Sequence, residues 1–131
     1  MIIEIETRDA APIYEQLRDQ IVFGAASGKL VPGEALPSVR RLAADLGINF
    51  HTVNKAYATL NEEGYISMDR RKGAVVAGAA KADENFLSGL VRRISLSAAE
   101  AICRGVGRDE FIELCAKCHD NCSAEKKEAS R

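Results

Sequence analysis

Apolar residues return every three or four positions through five stretches of the chain, separated by short polar or glycine-containing breaks, a period that predicts five helices. Pro12 opens the first, which runs to about Gly24–Ser27 with Ile13, Leu17, Ile21 and Ala25 at four-residue spacing. Ser38 caps a second from Val39 to about Leu46, with Val39, Leu42, Ala43 and Leu46 on its apolar side and Gly47 as its stop. Asn49 caps a third that reaches about Glu63 and ends at Gly64; Val53, Ala56, Tyr57 and Leu60 are its stripe. Asp83 caps a fourth, to about Cys103, roughly 30 Å long at 1.5 Å per residue. Its apolar side is Phe86, Leu87, Leu90, Val91, Ile94, Ala98, Ala101 and Ile102. After the Gly105–Gly107 turn, Asp109 caps a fifth from Glu110 to about Asn121, with Phe111, Ile112, Leu114 and Cys115 along one face.

Two segments alternate instead. Tyr65–Met68 and Ala74–Ala77 flank Asp69-Arg70-Arg71-Lys72-Gly73, which reads as a hairpin with a cationic tip. Ile2–Glu6 alternates apolar and acidic residues, as an extended arm or short edge strand does. Gly28 to Pro37 reads as a plain structural loop. The fold class is therefore mainly α with a small β-ribbon. A winged helix-turn-helix domain (1–78) precedes a two-helix dimerisation region (79–122), and 123–131 form a flexible tail. Two amphipathic helices cannot bury that much apolar surface alone, and the same pair from a second copy is the economical partner.

The polar positions carry the candidate chemistry. Asn49, His51, Thr52, Asn54 and Lys55 stand around the first turn of the third helix and largely off its buried stripe. Short donors and acceptors at that place suit base edges in a major groove. Ser38 and Arg40 open the second helix, and Arg40 suits a phosphate, favoured further by helix N-termini. Arg70, Arg71 and Lys72 repel one another at the hairpin tip, next to Gly73; phosphate contact or entry into a minor groove gives them a use. Read blandly, these are a solvated helix start and a solvated turn.

Composition changes the picture only in its distribution. The 131 residues carry a formal net charge of −1, which gives no hint of nucleic acid. From Arg40 to Lys72, however, six basic residues face four acidic ones, while Met1 to Glu34 holds three basic and six acidic. No apolar run approaches the roughly 18 residues that span a bilayer. Met1–Glu6 lacks the pattern of a secretory signal, so a cytoplasmic location with reduced thiols is expected.

Residues 12 to 78 resemble the winged helix-turn-helix of the GntR family of bacterial transcription regulators. The likeness rests on Pro12–Leu17, Gly28–Gly33, Leu36–Arg40, Leu42-Ala43, Leu46-Gly47, Thr52–Tyr57, Leu60 and Glu63–Ile66, in order and at the family's spacing. The short remainder resembles the YtrA-like subfamily, whose effector region is reduced to about two helices. The resemblance implies phosphate contact by Arg40, base contact by Asn49, His51, Thr52 and Asn54, and a wing glycine at Gly73. Phe50 departs from it, since family members often carry proline, serine or a basic residue there. The implied function is a homodimeric repressor on a palindromic double-stranded operator, controlling its own operon, often one encoding an ABC transporter, under an unidentified small-molecule effector. No cofactor and no enzymatic activity are expected; no phosphate-cradling glycine loop or paired-carboxylate site is present.

Cys115-Ala116-Lys117-Cys118-His119 matches a haem-attachment pattern, but that chemistry needs export and no export signal is read. Cys115, Cys118, His119 and Cys122 fall at i, i+3, i+4 and i+7 on one side of a helix. One straight helix cannot wrap four ligands around a zinc, and Cys115 and Cys118 also continue the apolar stripe, so packing is the preferred reading. Two rivals to the regulator remain: a metal- or thiol-sensing regulator using these residues, and a winged-helix module for protein–protein assembly.

Overall fold

The computed structural model describes residues 3–6, 8 and 10–123. Ile2 of the expected arm, and residues 124–131 of the expected tail, lie outside them. The chain divides after Ala79 into two compact units. The first holds α1 (Ile13–Ser27), α2 (Val39–Leu46), α3 (Phe50–Glu63), β1 (Ile66–Asp69) and β2 (Gly73–Val76); the second holds α4 (Glu84–Cys103) and α5 (Arg108–Cys122).

The first unit is built around α3, which packs against α1, α2 and β1. Val53, Ala56 and Leu60 are fully buried and Tyr57 nearly so, the four positions that the 3.6-residue period aligns. Leu17 and Ile21 of α1 and Leu42 and Ala43 of α2 close over them. The Ser38 hydroxyl accepts the Arg41 N–H at 3.1 Å and starts α2. Gly47 ends it in the left-handed region (φ 66°), and the Ile48 N–H reaches back to the Ala43 carbonyl at 3.1 Å. A side chain at position 47 would strain this reversal, which makes the tight turn between α2 and α3 a glycine's place.

β1 and β2 pair antiparallel in the register Ile66↔Val76 to Asp69↔Gly73, one residue later in β1 and one earlier in β2 than the alternation suggests. The stretch expected to be a plain loop is a correction. Ala35 bridges Val75, the Leu36 N–H donates to the Ala74 carbonyl at 2.8 Å, and Gly33 and Glu34 exchange bonds with Val76. Residues 33–36 thus cover the outer edge of β2 and satisfy backbone groups that the two-stranded ribbon leaves open.

Among the described residues of the arm, 3–6, there is no strand. Gln20 and Gln16, four residues apart on α1, use their amides as a backbone would. Gln20 pairs with both the N–H and the carbonyl of Glu4, and Gln16 with those of Glu6 at 2.9 Å each. Residues i and i+2 of an extended segment and i and i+4 of a helix have nearly the same spacing, so the two ladders match. Ile3 and Ile5 pack against the core through this strap.

In the second unit Asp83 caps α4 by accepting the Phe86 N–H at 2.8 Å. α5 begins two residues earlier than expected: Gly107 is its N-cap, with no side-chain cap bond, and Asp109 stands in the first turn, where its charge favours the helix dipole. Ser123, expected in the tail, closes α5 through bonds to the His119 and Asp120 carbonyls. No residue of α4 or α5 is buried. Val91, Ile94 and Ile102 remain 61%, 47% and 73% exposed, an apolar face without a core.

Candidate nucleic-acid interface

The two faces of α3 do different work. Val53, Ala56, Tyr57 and Leu60 face the core, whereas the polar residues around its N-terminus lie at the surface. Asn49 is the N-cap: its side-chain oxygen accepts the His51 N–H at 2.7 Å, and Asn49, His51, Asn54 and Lys55 are exposed, with Thr52 half-buried. The cap uses only the Asn49 side-chain oxygen, which leaves its amide nitrogen without a hydrogen bond among the described residues. Lys55 is shared with α1, its Nζ lying 4.1 Å from the Tyr14 ring centroid.

Ser38 and Arg40 open α2. Arg41 pairs with Asp45 at 3.8 Å, but no carboxylate pairs with Arg40 among the described residues. Its guanidinium instead lies 5.8 Å from the centroid of the Phe50 ring, and Phe50 meets the His51 ring edge-to-face at 5.7 Å. Arg40, Phe50 and His51 therefore form one surface group that joins the starts of both helices. Tyr57 ties the pair from beneath, its hydroxyl donating to the Pro37 carbonyl at 2.7 Å; burial of the phenol pushes its pKa up to about 12.

The hairpin tip is ordered by one carboxylate. Asp69 accepts the N–H groups of Arg71 at 2.7 Å and Lys72 at 3.0 Å, and Gly73 takes φ 75°. Those two amides, with the Lys72 charge, hold the Asp69 carboxyl below the usual carboxylate range. The turn leaves the side chains of Arg70, Arg71 and Lys72 exposed, and no hydrogen bond or ion pair joins them to α3 among the described residues. Elsewhere the cations serve the fold: Arg18 forks onto Glu63, at 2.8 and 3.1 Å, and this bond keeps it firmly charged.

Cys115, Cys118 and His119 are exposed and Cys122 half-buried, and no group of three or more metal-ligating side chains gathers among the described residues. Their side chains run down one side of α5 at rising height, so they do not converge on a point. Sequence reasoning also missed two participants: Phe50, which it set aside as a departure, and Asp69, which it read only as turn composition. An apolar residue directly after a cap, one turn ahead of Val53, was the available signal for Phe50.

Residues 10–76 match the family described as bacterial regulatory proteins, gntR family. The chain is 41% identical over 80 residues to the HTH-type transcriptional repressor YtrA of Bacillus subtilis, a match covering 61% of this chain and 62% of that one. Among solved structures it is similar to YtrA from Sulfolobus acidocaldarius, a GntR-family transcription factor, with 41% identity and a TM-score of 0.61 over 73% of this chain and 99% of that one. A transcriptional antiterminator from Listeria monocytogenes superposes with a TM-score of 0.87 at 26% identity, covering 93% of this chain and 92% of that one. Among the described residues no helix is long and apolar enough to cross a membrane.

Proposed function

The chain belongs to the gntR family of bacterial regulatory proteins, and from that membership we propose that it acts as a homodimeric repressor, each N-terminal unit gripping one half of a palindromic operator. As a member it is a DNA-binding transcription regulator and not an enzyme. In the proposed complex α3 lies in the major groove, Asn49, His51, Thr52 and Asn54 meet base edges, and Ser38, Arg40 and Lys55 hold phosphates. Arg70, Arg71, Lys72 and Gly73 follow the backbone or enter the neighbouring minor groove. The observation that carries this reading is the division of α3. A helix anchored in the core by Val53, Ala56, Tyr57 and Leu60 keeps Asn49, His51, Asn54 and Lys55 in solvent around its capped N-terminus, beside an arginine that no carboxylate among the described residues neutralises.

The unburied face of α4 and α5 supports the dimer, because an apolar stripe of that extent calls for a covering partner, and a second copy supplies a self-complementary one. Repression follows by occlusion: a dimer seated on its operator excludes polymerase until a small-molecule effector changes the spacing of the two heads. The named function of the Bacillus relative supports repression over activation, and the YtrA-like resemblance supports control of the protein's own operon, encoding an ABC transporter, from within the cytoplasm. Selection of bound fragments from genomic DNA tests the core of the proposal. An enriched inverted repeat, with half-sites about 10 base pairs apart or a multiple of that spacing, is the expected result; enrichment of no motif, or of a lone half-site by a protein that sediments as a monomer, overturns it.

A further inference from the structure

We propose that Phe50 reads the 5-methyl group of a thymine in each operator half-site, with the Arg40 guanidinium and the His51 ring holding the phenyl ring in place for it. The inference rests on the operator-binding reading and adds to it a residue that this reading does not use.

Phe50 is the first residue of α3, immediately after the Asn49 cap and three before Val53. Continuation of the buried stripe would draw it inward, yet it is 41% exposed while Val53 is fully buried. Single exposed apolar side chains are ordinary; what sets Phe50 apart is that its ring stands among the polar groups at the start of α3 that face the same solvent. It is also oriented. Arg40 lies 5.8 Å from its centroid, and His51 stands 5.7 Å away with the two rings at 83°. A ring held by two neighbours loses little freedom on binding, which suits it to a specific contact.

The chemistry of the groove selects the ligand. Base edges there present hydrogen-bond donors and acceptors, with one apolar group among them, the thymine methyl. Asn49, His51 and Asn54 supply polar partners for the former. The phenyl ring has no hydrogen bond to give, so its favourable partner on the groove floor is that methyl. Arg40 meanwhile reaches a phosphate from the same stack, so the base contact and the backbone contact are built on one group.

The test uses the full-length protein and the duplex recovered by selection, with each thymine of a half-site replaced in turn by deoxyuridine, which removes only the methyl. At one position per half-site the wild type should lose about fourfold in affinity, the factor expected for one buried methyl-sized group. That loss should vanish in Phe50→Ala and survive in part in Phe50→Leu. Circular dichroism establishes that both variants are folded. Wild-type affinity indifferent to every uracil overturns the proposal, as does an equal uracil penalty in wild type and Phe50→Ala. A uniform weakening by Phe50→Ala without coupling to any thymine leaves the ring as a positioning residue for Arg40 and equally overturns it. Failure to recover any preferred sequence would instead defeat the operator-binding reading itself, so the two failures are told apart.

Discussion

Replacing Tyr57 by phenylalanine deletes one oxygen from beneath the helix pair and leaves the ring, 4% exposed, where it was. What is lost is the 2.7 Å bond that the hydroxyl donates to the Pro37 carbonyl, just ahead of the cap that starts α2. A neutral hydrogen bond of this kind contributes about 1 kcal/mol net. Pro37 is half-buried, so water reaches its orphaned carbonyl in part and the penalty stays near that figure. In a domain of this size about 1 kcal/mol lowers the melting temperature by roughly 4–8 °C.

The same substitution has a signature in pH that a packing defect lacks. Burial holds the Tyr57 pKa at about 12 in the folded protein, against about 10 for a free phenol. The native state therefore keeps this proton more tightly than the unfolded chain. The stability this contributes is complete below about pH 10 and drains away as pH rises towards 12. Tyr57→Phe has no such proton to lose. Thermal melts of both proteins should begin several degrees apart at pH 8, close up above pH 10 and cross before pH 12, because a proton held at about 12 and not about 10 is worth about 2.7 kcal/mol, more than the bond itself. Other groups titrate there in both proteins, and the difference between the curves isolates Tyr57. Equal melting temperatures at pH 8, or curves that stay parallel to pH 12, would refute the reasoning.

Three further substitutions bear on the proposed DNA complex. Arg40→Ala should weaken binding to all sequences and flatten the salt dependence, by a slope of about 0.9 for each phosphate that the protein no longer neutralises; an unchanged slope in salt-titrated mobility shifts removes Arg40 from the backbone contacts. Asp69→Ala should loosen the hairpin tip and reduce affinity with the melting temperature nearly unchanged, because the carboxylate's bonds to the Arg71 and Lys72 amides are local to an exposed turn. Its lowered pKa gives the sign in acid: the hold on the turn is present at neutral pH and lost only as pH falls through that depressed value, which backbone amide chemical shifts would follow. Ile94→Glu puts a charge on a side chain 47% exposed in the single chain; sedimentation should shift it to monomer with the N-terminal unit still folded, and an unchanged dimer would clear that face of the role.

Periodicity made the helices and the core of the first unit legible, because each buried position there is a side chain whose polarity announces its side. Val53, Ala56, Tyr57 and Leu60 are read directly from their spacing. What escaped has no such signal. The pairing of residues 33–36 with β2 uses backbone groups that every residue carries, so Gly33 to Leu36 look like any loop. The strap by Gln16 and Gln20 is hidden because two glutamines four apart on a helix are also an ordinary solvated face. Phe50 reads in the sequence only as a departure from the family's pattern; the placing of Arg40 and His51 against its ring comes from the fold.

The two units differ in a way that composition conceals. Both are rich in apolar residues, but the first unit encloses a buried core whereas no residue of α4 or α5 is buried. On the dimer reading, the ordering of α4 and α5 is then inseparable from association, and anything that loosens their pairing separates the heads. Two heads joined through that pairing meet the second half-site at the effective concentration set by the tether, so affinity for the whole operator exceeds what one first turn of α3 supplies. A signal that acts on the helical region therefore needs no contact with DNA. On the same reading, a shift in the geometry of the pair that withdraws the second head from its groove gives up the gain in affinity that the tether supplies.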